Sequence, residues 1–148
     1  MGRSAAATSP RQERAQRDRF GTYFPRVFAY VRSSISEDAR SRDIVIEAFA
    51  SVFSRGGRLS DEDFPIVLFS VTKDLCEKSR DNMDGVRGVL TDPEREVLAL
   101  MFDAQLTSGQ VGDVLQIRED SVASTLVDGL RKIKAAVLRE PSPSLQQL

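Results

Sequence analysis

The chain has 148 residues, of which 41% are hydrophobic and 29% are charged, and its formal net charge is −1 at pH 7. This length and composition suffice for one ordinary domain or two small ones, and the near-neutral charge argues against a protein that coats nucleic acid by bulk electrostatics. The chain has no histidine and Cys76 is its single cysteine, which excludes intramolecular disulfides, a zinc site and a histidine-based catalytic triad.

Several further classes of protein are excluded by simple sequence patterns. No segment approaches the roughly 20 apolar residues that a membrane span needs, and the N-terminal residues lack the apolar core of a secretion signal. No glycine-rich phosphate loop is present. We therefore expect a cytoplasmic protein without a membrane span, metal or cofactor, and not an enzyme. The ends of the chain, residues 1–12 and 139–148, have no hydrophobic period and are expected to be disordered.

Three amphipathic helices are predicted between residues 13 and 80, because hydrophobic residues recur there at spacings of three and four. Pro25 is a candidate kink in the first helix, Gly56 and Gly57 end the second, and the third begins near Ser60. The expected buried stripes are Phe20, Phe24, Val27, Phe28 and Val31; Val45, Ala48, Phe49, Val52 and Phe53; and Phe64, Val67, Leu68, Val71 and Leu75.

Residues 81–89 contain two glycines and no apolar period, which predicts a linker before a second helical module at residues 90–138. A fourth helix is predicted to open at Thr91 or Asp92, with Pro93 in its first turn. Its expected buried residues are Val97, Leu98, Met101 and Phe102.

The last third of the chain has the pattern of a helix-turn-helix. Thr107 and Gln110 form a capping box ahead of a short helix, and the acidic residues from Glu119 begin a second helix about a dozen residues later. The expected buried stripe of this last helix is Val122, Leu126, Leu130, Ile133 and Val137. A helix that reads a DNA groove normally presents Arg, Lys, Asn or Gln; this one presents Ala123, Ser124, Thr125 and Asp128.

The stretch DARSRDIVIEAFASVF, residues 38–53, resembles the acidic helix of extracytoplasmic-function (ECF) sigma factors of bacterial RNA polymerase, usually close to D-A-E-D-L-V-Q-E-V-F. Asp43, Glu47 and Phe49 fall on matching positions, and Ile46 stands where the family has glutamine. The resemblance covers roughly residues 18–138 and implies an all-α fold of two modules, a three-helix region 2 and a region 4 helix-turn-helix, joined by a short linker. It also implies that the three matching residues contact the clamp helices of core RNA polymerase.

Two further stretches carry the resemblance. FPIVLFSVTKDLCEKSRD, residues 64–81, resembles W-L-x-x-I-A-R-N-L, whose helix contacts the minus-ten promoter element, although Val67 and Asp74 replace the tryptophan and the asparagine. Residues 90–134 resemble region 4, which holds the minus-thirty-five element, with Gly112 and Gly129 at positions of small alanines. The family's K, R and R are replaced by Ala123, Thr125 and Asp128. The DNA contacts that the resemblance implies are Lys73, Lys78, Arg80, Arg118, Ser121, Ser124, Thr125 and Lys132.

Two functions remain open at this point. The first is a sigma factor that binds the clamp helices and flap of core polymerase, reads promoter DNA, initiates transcription and is controlled by an anti-sigma factor. The second is a sigma-like decoy or adaptor that binds the anti-sigma factor or the polymerase without reading promoters. A dimeric helical DNA-binding regulator is a third reading, and no long coiled-coil heptad supports it.

Overall fold

The computed structural model describes residues 10–55, 59–79 and 89–139, and these are organised as helices joined by short turns. The all-α fold class is therefore confirmed. Contacts between residues divide the chain into two compact units, with the boundary between Arg80 and Asp81. No helix among the described residues is long and apolar enough to cross a membrane. The glycines that were expected to end the second helix, most of the expected linker and most of both expected tails lie outside the described residues.

Unit 1 contains three helices, each of which packs against the other two. They are α1 (Pro10–Arg32), α2 (Asp38–Phe53) and α3 (Asp63–Ser79). Apolar side chains from all three form one core, as hydrophobic stripes of amphipathic helices require. The most deeply buried are Val27, Val31, Ile35, Val45, Val52, Phe64, Leu68 and Phe69.

Helix α1 departs from expectation at both of its prolines, and Phe20 in its predicted buried stripe is 38% exposed. It begins at Pro10, inside the segment that was expected to be disordered, because proline suits the first position of a helix. It also continues through Pro25. Pro25 lies on the exposed side of α1, four residues after Gly21, so the carbonyl oxygen that its ring leaves without a donor faces solvent.

The buried face of α3 differs from the predicted stripe. Val67, Val71 and Leu75 are only half-buried, whereas Phe69 and Cys76 are buried. The reason is that α3 packs against two helices at once: the ring of Phe69 meets that of Tyr30 on α1 edge-on, with centroids 5.8 Å apart. The hydroxyl of Thr72 enters the same core and donates to the carbonyl oxygen of Leu68 at 2.7 Å, which satisfies the buried polar group.

Unit 2 contains α4 (Asp92–Leu98), a π-helical turn (Ala99–Asp103), α5 (Ser108–Leu115) and α6 (Glu119–Arg139). The predicted capping box of α5 is confirmed: the Thr107 hydroxyl accepts from the Gln110 amide, and the Gln110 side chain accepts from the Thr107 amide. A second capping box joins Thr91 and Glu94 at the start of α4. Both boxes satisfy backbone donors that helix termini otherwise leave unpaired.

The core of this unit differs from the expected one because of the π-helical turn. The amide of Ala104 donates to the carbonyl oxygen of Ala99, five residues earlier, at 3.0 Å. This wider turn shifts the residues around the helix axis, so that Leu100 is buried and Phe102 is 61% exposed. The prediction that Phe102 is buried was wrong, because a strict 3.6-residue period assumes an uninterrupted α-helix.

The buried face of α6 is shorter than predicted. Val122 is buried, whereas Leu130, Ile133 and Val137 are 42%, 39% and 64% exposed. Contacts at the two buried glycines show which parts of α6 are covered. A Cβ added to Gly112 would lie 3.7 Å from Val122, and one added to Gly129 would lie 3.2 Å from Leu98. Helix α5 therefore covers the first turn of α6, α4 covers its middle, and its last turns extend beyond both.

The turn between α5 and α6 closes over Gly112. The Ile117 amide donates to the Gly112 carbonyl at 2.9 Å, and a Cβ on Gly112 would lie 2.8 Å from the Ile117 carbonyl oxygen, which a side chain could not tolerate. Gln116 ends α5 in the left-handed conformation, with φ 60°. Glycine adopts this conformation more readily than a residue with a Cβ.

An ion pair links α4 to α6. The ammonium of Lys132 lies 2.9 Å from Oε2 of Glu94, whose side chain is 8% exposed. The Thr91 amide also donates to Oε1 of Glu94, at 2.9 Å. The Thr91 amide and then Lys132 lower the pKa of Glu94 below its usual value. The capping box of α4 is therefore tied electrostatically to the middle of α6.

Replacing Gln116 by glycine should stabilise unit 2 by about 1 kcal/mol, because glycine removes the cost of a side chain at positive φ. Amide hydrogen exchange in α5 and α6 should slow accordingly. Asp113→Gly, at an exposed position inside α5, is the control and should speed exchange, because glycine weakens a helix interior. Faster exchange in Gln116→Gly would contradict the assigned turn.

Unit 2 should lose stability in acid through Glu94. Because the folded pKa is lowered, the stabilisation is complete above the unfolded value of about 4.3 and disappears as the pH falls through the folded value. Glu94→Gln should flatten the dependence of α6 hydrogen-exchange protection on pH as the pH falls below about 4.3. Asp113→Asn is a matched control in the same unit, and an equal flattening there would contradict the role of Glu94.

Candidate functional site

The exposed face of α2 carries an acidic pair. Asp43 and Glu47 are both exposed and lie one helical turn apart, so they share a face. Among the described residues neither carboxylate has a hydrogen-bond or ion-pair partner. Ile46 lies on the same face and is 57% exposed. The face therefore presents two available negative charges beside one apolar side chain and the exposed Arg42, and the two carboxylates suit a basic partner.

Phe49 does not belong to this face, which corrects the prediction that it contacts the polymerase. Its side chain is 2% exposed. The ring packs against Phe20 and Phe53, with centroids 4.7 and 5.7 Å away. The hydrophobic spacing of α2 placed Phe49 in the buried stripe, and only the family resemblance assigned it a contact with a partner.

The basic residues near the end of α3 are placed less uniformly than expected. Lys73 is half-buried, and its ammonium lies 2.8 Å from Oε2 of Glu77, one turn along the helix. Lys78 is exposed in the last turn of α3. Arg80 lies outside the described residues. Lys78 is therefore the candidate phosphate contact that the described part of this segment offers to solvent.

The helix-turn-helix presents a mixed polar face. Ser121 and Ser124 are exposed at the start of α6, and Thr125 is half-buried beside them. Arg118 lies in the preceding turn and pairs with Asp120 at 3.4 Å, with both side chains more than 80% exposed. Hydroxyl groups can bond phosphates or base edges, and they carry little specificity alone.

Lys132, which was predicted as a DNA contact, is already paired within its own unit. Its ammonium binds the carboxylate of Glu94, so it serves the packing of α6 on α4. Arg131, the preceding residue, is exposed. Arg131 shares a face with Ser124 and Asp128, because the three are spaced by four and three residues along α6. Helical spacing counted from Ser124 would have predicted Arg131, and not Lys132, as the cation on this face.

Carboxylates lie among these cations. Asp120 and Asp128 are exposed on the same side of α6 as Ser124 and Arg131. A carboxylate that faces a phosphate is repelled. Each missing cation also lowers the affinity for DNA, because one counterion fewer is released on binding. The face can therefore bind a nucleic acid only weakly unless another protein holds it in place.

The chain resembles a known protein at the level of its fold. No family model and no curated protein matches the chain. Among solved structures, the chain is similar to CnrH in its complex with the cytosolic domain of CnrY, with a TM-score of 0.73 and 18% sequence identity. The similarity covers 93% of this chain and 94% of that chain.

Asp128 supplies the sharpest test of the α6 face. Asp128→Arg should raise the affinity for duplex DNA and make it fall more steeply with salt, because a repulsive charge becomes a phosphate contact. Fluorescence anisotropy between about 50 and 200 mM salt measures both quantities. Asp113→Arg makes the same charge change on the exposed side of α5 and is the control. Equal effects of the two variants would show that only net charge matters.

Because CnrH is an ECF sigma factor, the chain has the fold of an ECF sigma factor.

Proposed function

We propose that this chain is a sigma factor of the ECF type, which binds core RNA polymerase and directs it to promoters. The observation that carries the proposal is the exposed, unpaired carboxylate pair of Asp43 and Glu47 on α2, in a chain with this fold. In the resemblance seen in the sequence, this pair occupies the positions that meet the polymerase clamp helices. The similarity to CnrH supports the proposal because it covers 93% of this chain and 94% of that chain.

The proposed mechanism has no covalent step. Arginine side chains on the clamp would bind Asp43 and Glu47 by charge-assisted hydrogen bonds, which are stronger than neutral ones. Docking would then place Lys78 near the minus-ten segment, and Arg118, Ser121, Ser124 and Thr125 near the minus-thirty-five segment. Arg80, whose position is not described, remains part of the proposed minus-ten contact on its sequence match alone.

The weak DNA face makes the polymerase essential to this mechanism. With Asp120 and Asp128 among the cations, unit 2 alone would bind DNA poorly. A module held on the polymerase meets the promoter at a high effective concentration, so that a weak contact is sufficient. Promoter choice would then depend on the complex and not on unit 2 by itself.

A second candidate function is a sigma-like decoy or adaptor. CnrH was solved with the cytosolic domain of CnrY, which is an anti-sigma factor domain. A chain with this fold could bind such a domain and leave promoters unread. The acidic residues on the α6 face favour this candidate. Binding of an anti-sigma factor is expected under both candidates and does not separate them.

Reversing the acidic pair on α2 tests the polymerase surface. Asp43→Arg with Glu47→Arg should abolish co-purification with core RNA polymerase, because two attractions become repulsions. Glu13→Arg with Glu62→Arg changes the same charge at exposed positions of unit 1 and should leave binding intact. Retained binding of the α2 variant, with its helical circular dichroism unchanged, would remove this surface from the proposal.

Run-off transcription separates the two candidate functions. Core polymerase with the purified chain should produce transcripts from members of a randomised promoter library if the chain is an initiating sigma factor. Transcripts should be lost in the Asp43→Arg, Glu47→Arg variant and kept in the Glu13→Arg, Glu62→Arg control. Polymerase binding without transcripts would favour the decoy.

A further inference from the structure

One side chain holds the residues that precede α3 against the rest of unit 1. These residues, 59–61, are called here the pre-α3 segment. Arg19 on α1 donates a hydrogen bond from Nη2 to the carbonyl oxygen of Leu59 at 2.8 Å and another to Oδ1 of Asp61 at 3.0 Å. Within the described parts of the chain, no side chain of another helix besides Arg19 bonds to the segment. The hydrogen bonds that fix the segment against α1 therefore all come from Arg19.

The same guanidinium group covers the first buried ring of α3. Cζ of Arg19 lies 4.6 Å from the centroid of the Phe64 ring, which is a cation–π contact. Phe64 is 1% exposed, and its ring also packs against Tyr23 on α1 and Phe53 on α2, with centroids 5.3 and 6.1 Å away. Arg19 therefore bonds to the pre-α3 segment and, at the same time, closes over the residue that anchors the start of α3 in the core.

Only the combination of these contacts makes Arg19 an effective anchor. The side chain of Asp61 is 99% exposed, and an exposed ion pair contributes little by itself. The Arg19 side chain is only 21% exposed, because it lies over Phe64 while it donates to Leu59 and Asp61. A planar guanidinium can stack on a ring and present several donors together, whereas a lysine ammonium cannot.

The other hydrogen bonds of the pre-α3 segment are local. The hydroxyl of Ser60 accepts from the amide of Asp63 at 3.1 Å, and its carbonyl oxygen accepts from the amide of Phe64 at 2.9 Å. These bonds begin α3, but they do not link the segment to α1 or α2. A segment with so few contacts opens at a low cost in free energy. Loss of Arg19 would therefore release the segment while α3 stays folded.

The pre-α3 segment directly precedes the stretch that resembles the minus-ten helix of ECF sigma factors, residues 64–81. A promoter strand that binds the start of this helix would meet the segment as well. Binding is tighter when the contacting surface is already ordered, because no conformational entropy is then lost on binding. An anchor on the segment would therefore increase the affinity for the melted strand without touching it.

We propose that Arg19 is a positioning residue for the minus-ten contact. It fixes the pre-α3 segment and the first turn of α3 before the melted promoter strand binds. The proposal rests on the proposed function, because it concerns the same contact with promoter DNA. It separates Arg19 from the residues that bind the polymerase, since the acidic pair lies on the exposed face of α2.

The first test uses the purified chain alone. In Arg19→Gln, the NMR order parameters of the backbone amides of residues 59–61 should fall from about 0.85, typical of rigid backbone, to below about 0.6. Arg17→Gln is the matched control: it removes the same charge from α1 at an exposed residue without a partner among the described residues. Its order parameters should stay high, and the helical circular dichroism of both variants should be unchanged. Unchanged order parameters in Arg19→Gln would overturn the proposal.

The second test measures polymerase binding and promoter opening separately, on a promoter selected by run-off transcription. Arg19→Gln should co-purify with core polymerase as well as the wild type does. Permanganate reactivity of thymines in the minus-ten region should fall about 10-fold or more, because ordering the backbone of even one residue on binding costs about a factor of 10. Arg17→Gln should keep both properties. Loss of polymerase binding in Arg19→Gln, or an equal loss of opening in Arg17→Gln, would overturn the positioning role.

Arg19→Lys separates positioning from a direct contact with a phosphate. Lysine keeps the charge, so it would restore opening if Arg19 itself bound DNA, and full restoration would overturn the proposal. If Arg19 is a positioning residue, Arg19→Lys should open the promoter nearly as poorly as Arg19→Gln, since an ammonium cannot replace the three contacts together. Wild-type chain that opens no promoter would overturn the proposed function as well. Equal opening by wild type and Arg19→Gln would overturn the positioning role alone.

Discussion

The packing of α6 on α4 is the contact on which the arrangement of unit 2 depends. Even with the π-helical turn that continues it, α4 is too short to be stable alone, so it needs its capping box and a partner helix. Glu94 serves both needs: it closes the box with Thr91 and holds Lys132 on α6. Gly129 lets α6 approach Leu98 and Glu94 closely. These contacts set which side of α6 is covered and which side is presented to partners.

The packing of helices within each unit also decides which of their surfaces remain exposed. In unit 1, α1 and α3 pack on the buried side of α2 and leave Asp43 and Glu47 exposed without internal partners, with the exposed Ile46 beside them. In unit 2, α5 and α4 together cover only part of α6. The polar face at the start of α6 and the apolar side chains near its end are both left exposed.

Local signals in the sequence predicted the helices better than their buried faces. The capping residues Thr91 and Thr107 act on neighbouring amides, so their effect is visible in a few consecutive letters. The buried faces depend on partners far away in sequence. Phe69 is buried because Tyr30 lies opposite, and Phe102 is exposed because a π-helical turn shifts the register before it. Neither the burial of Phe69 nor the exposure of Phe102 can be predicted from the spacing of hydrophobic residues.

For the candidate site, residue types and spacing were enough to select Asp43 and Glu47, because a pair of carboxylates four apart must share a helix face. The same spacing, applied to a predicted stripe, placed Phe49 correctly in the core, and the family pattern assigned it a contact that its burial rules out. Sequence alone thus determined the all-α class, the starts of α4, α5 and α6 and the acidic pair, since each arises from interactions within one or two turns. Tertiary structure decided that Lys132 binds Glu94 and that the end of α6 stays uncovered, because both depend on the length and position of α4.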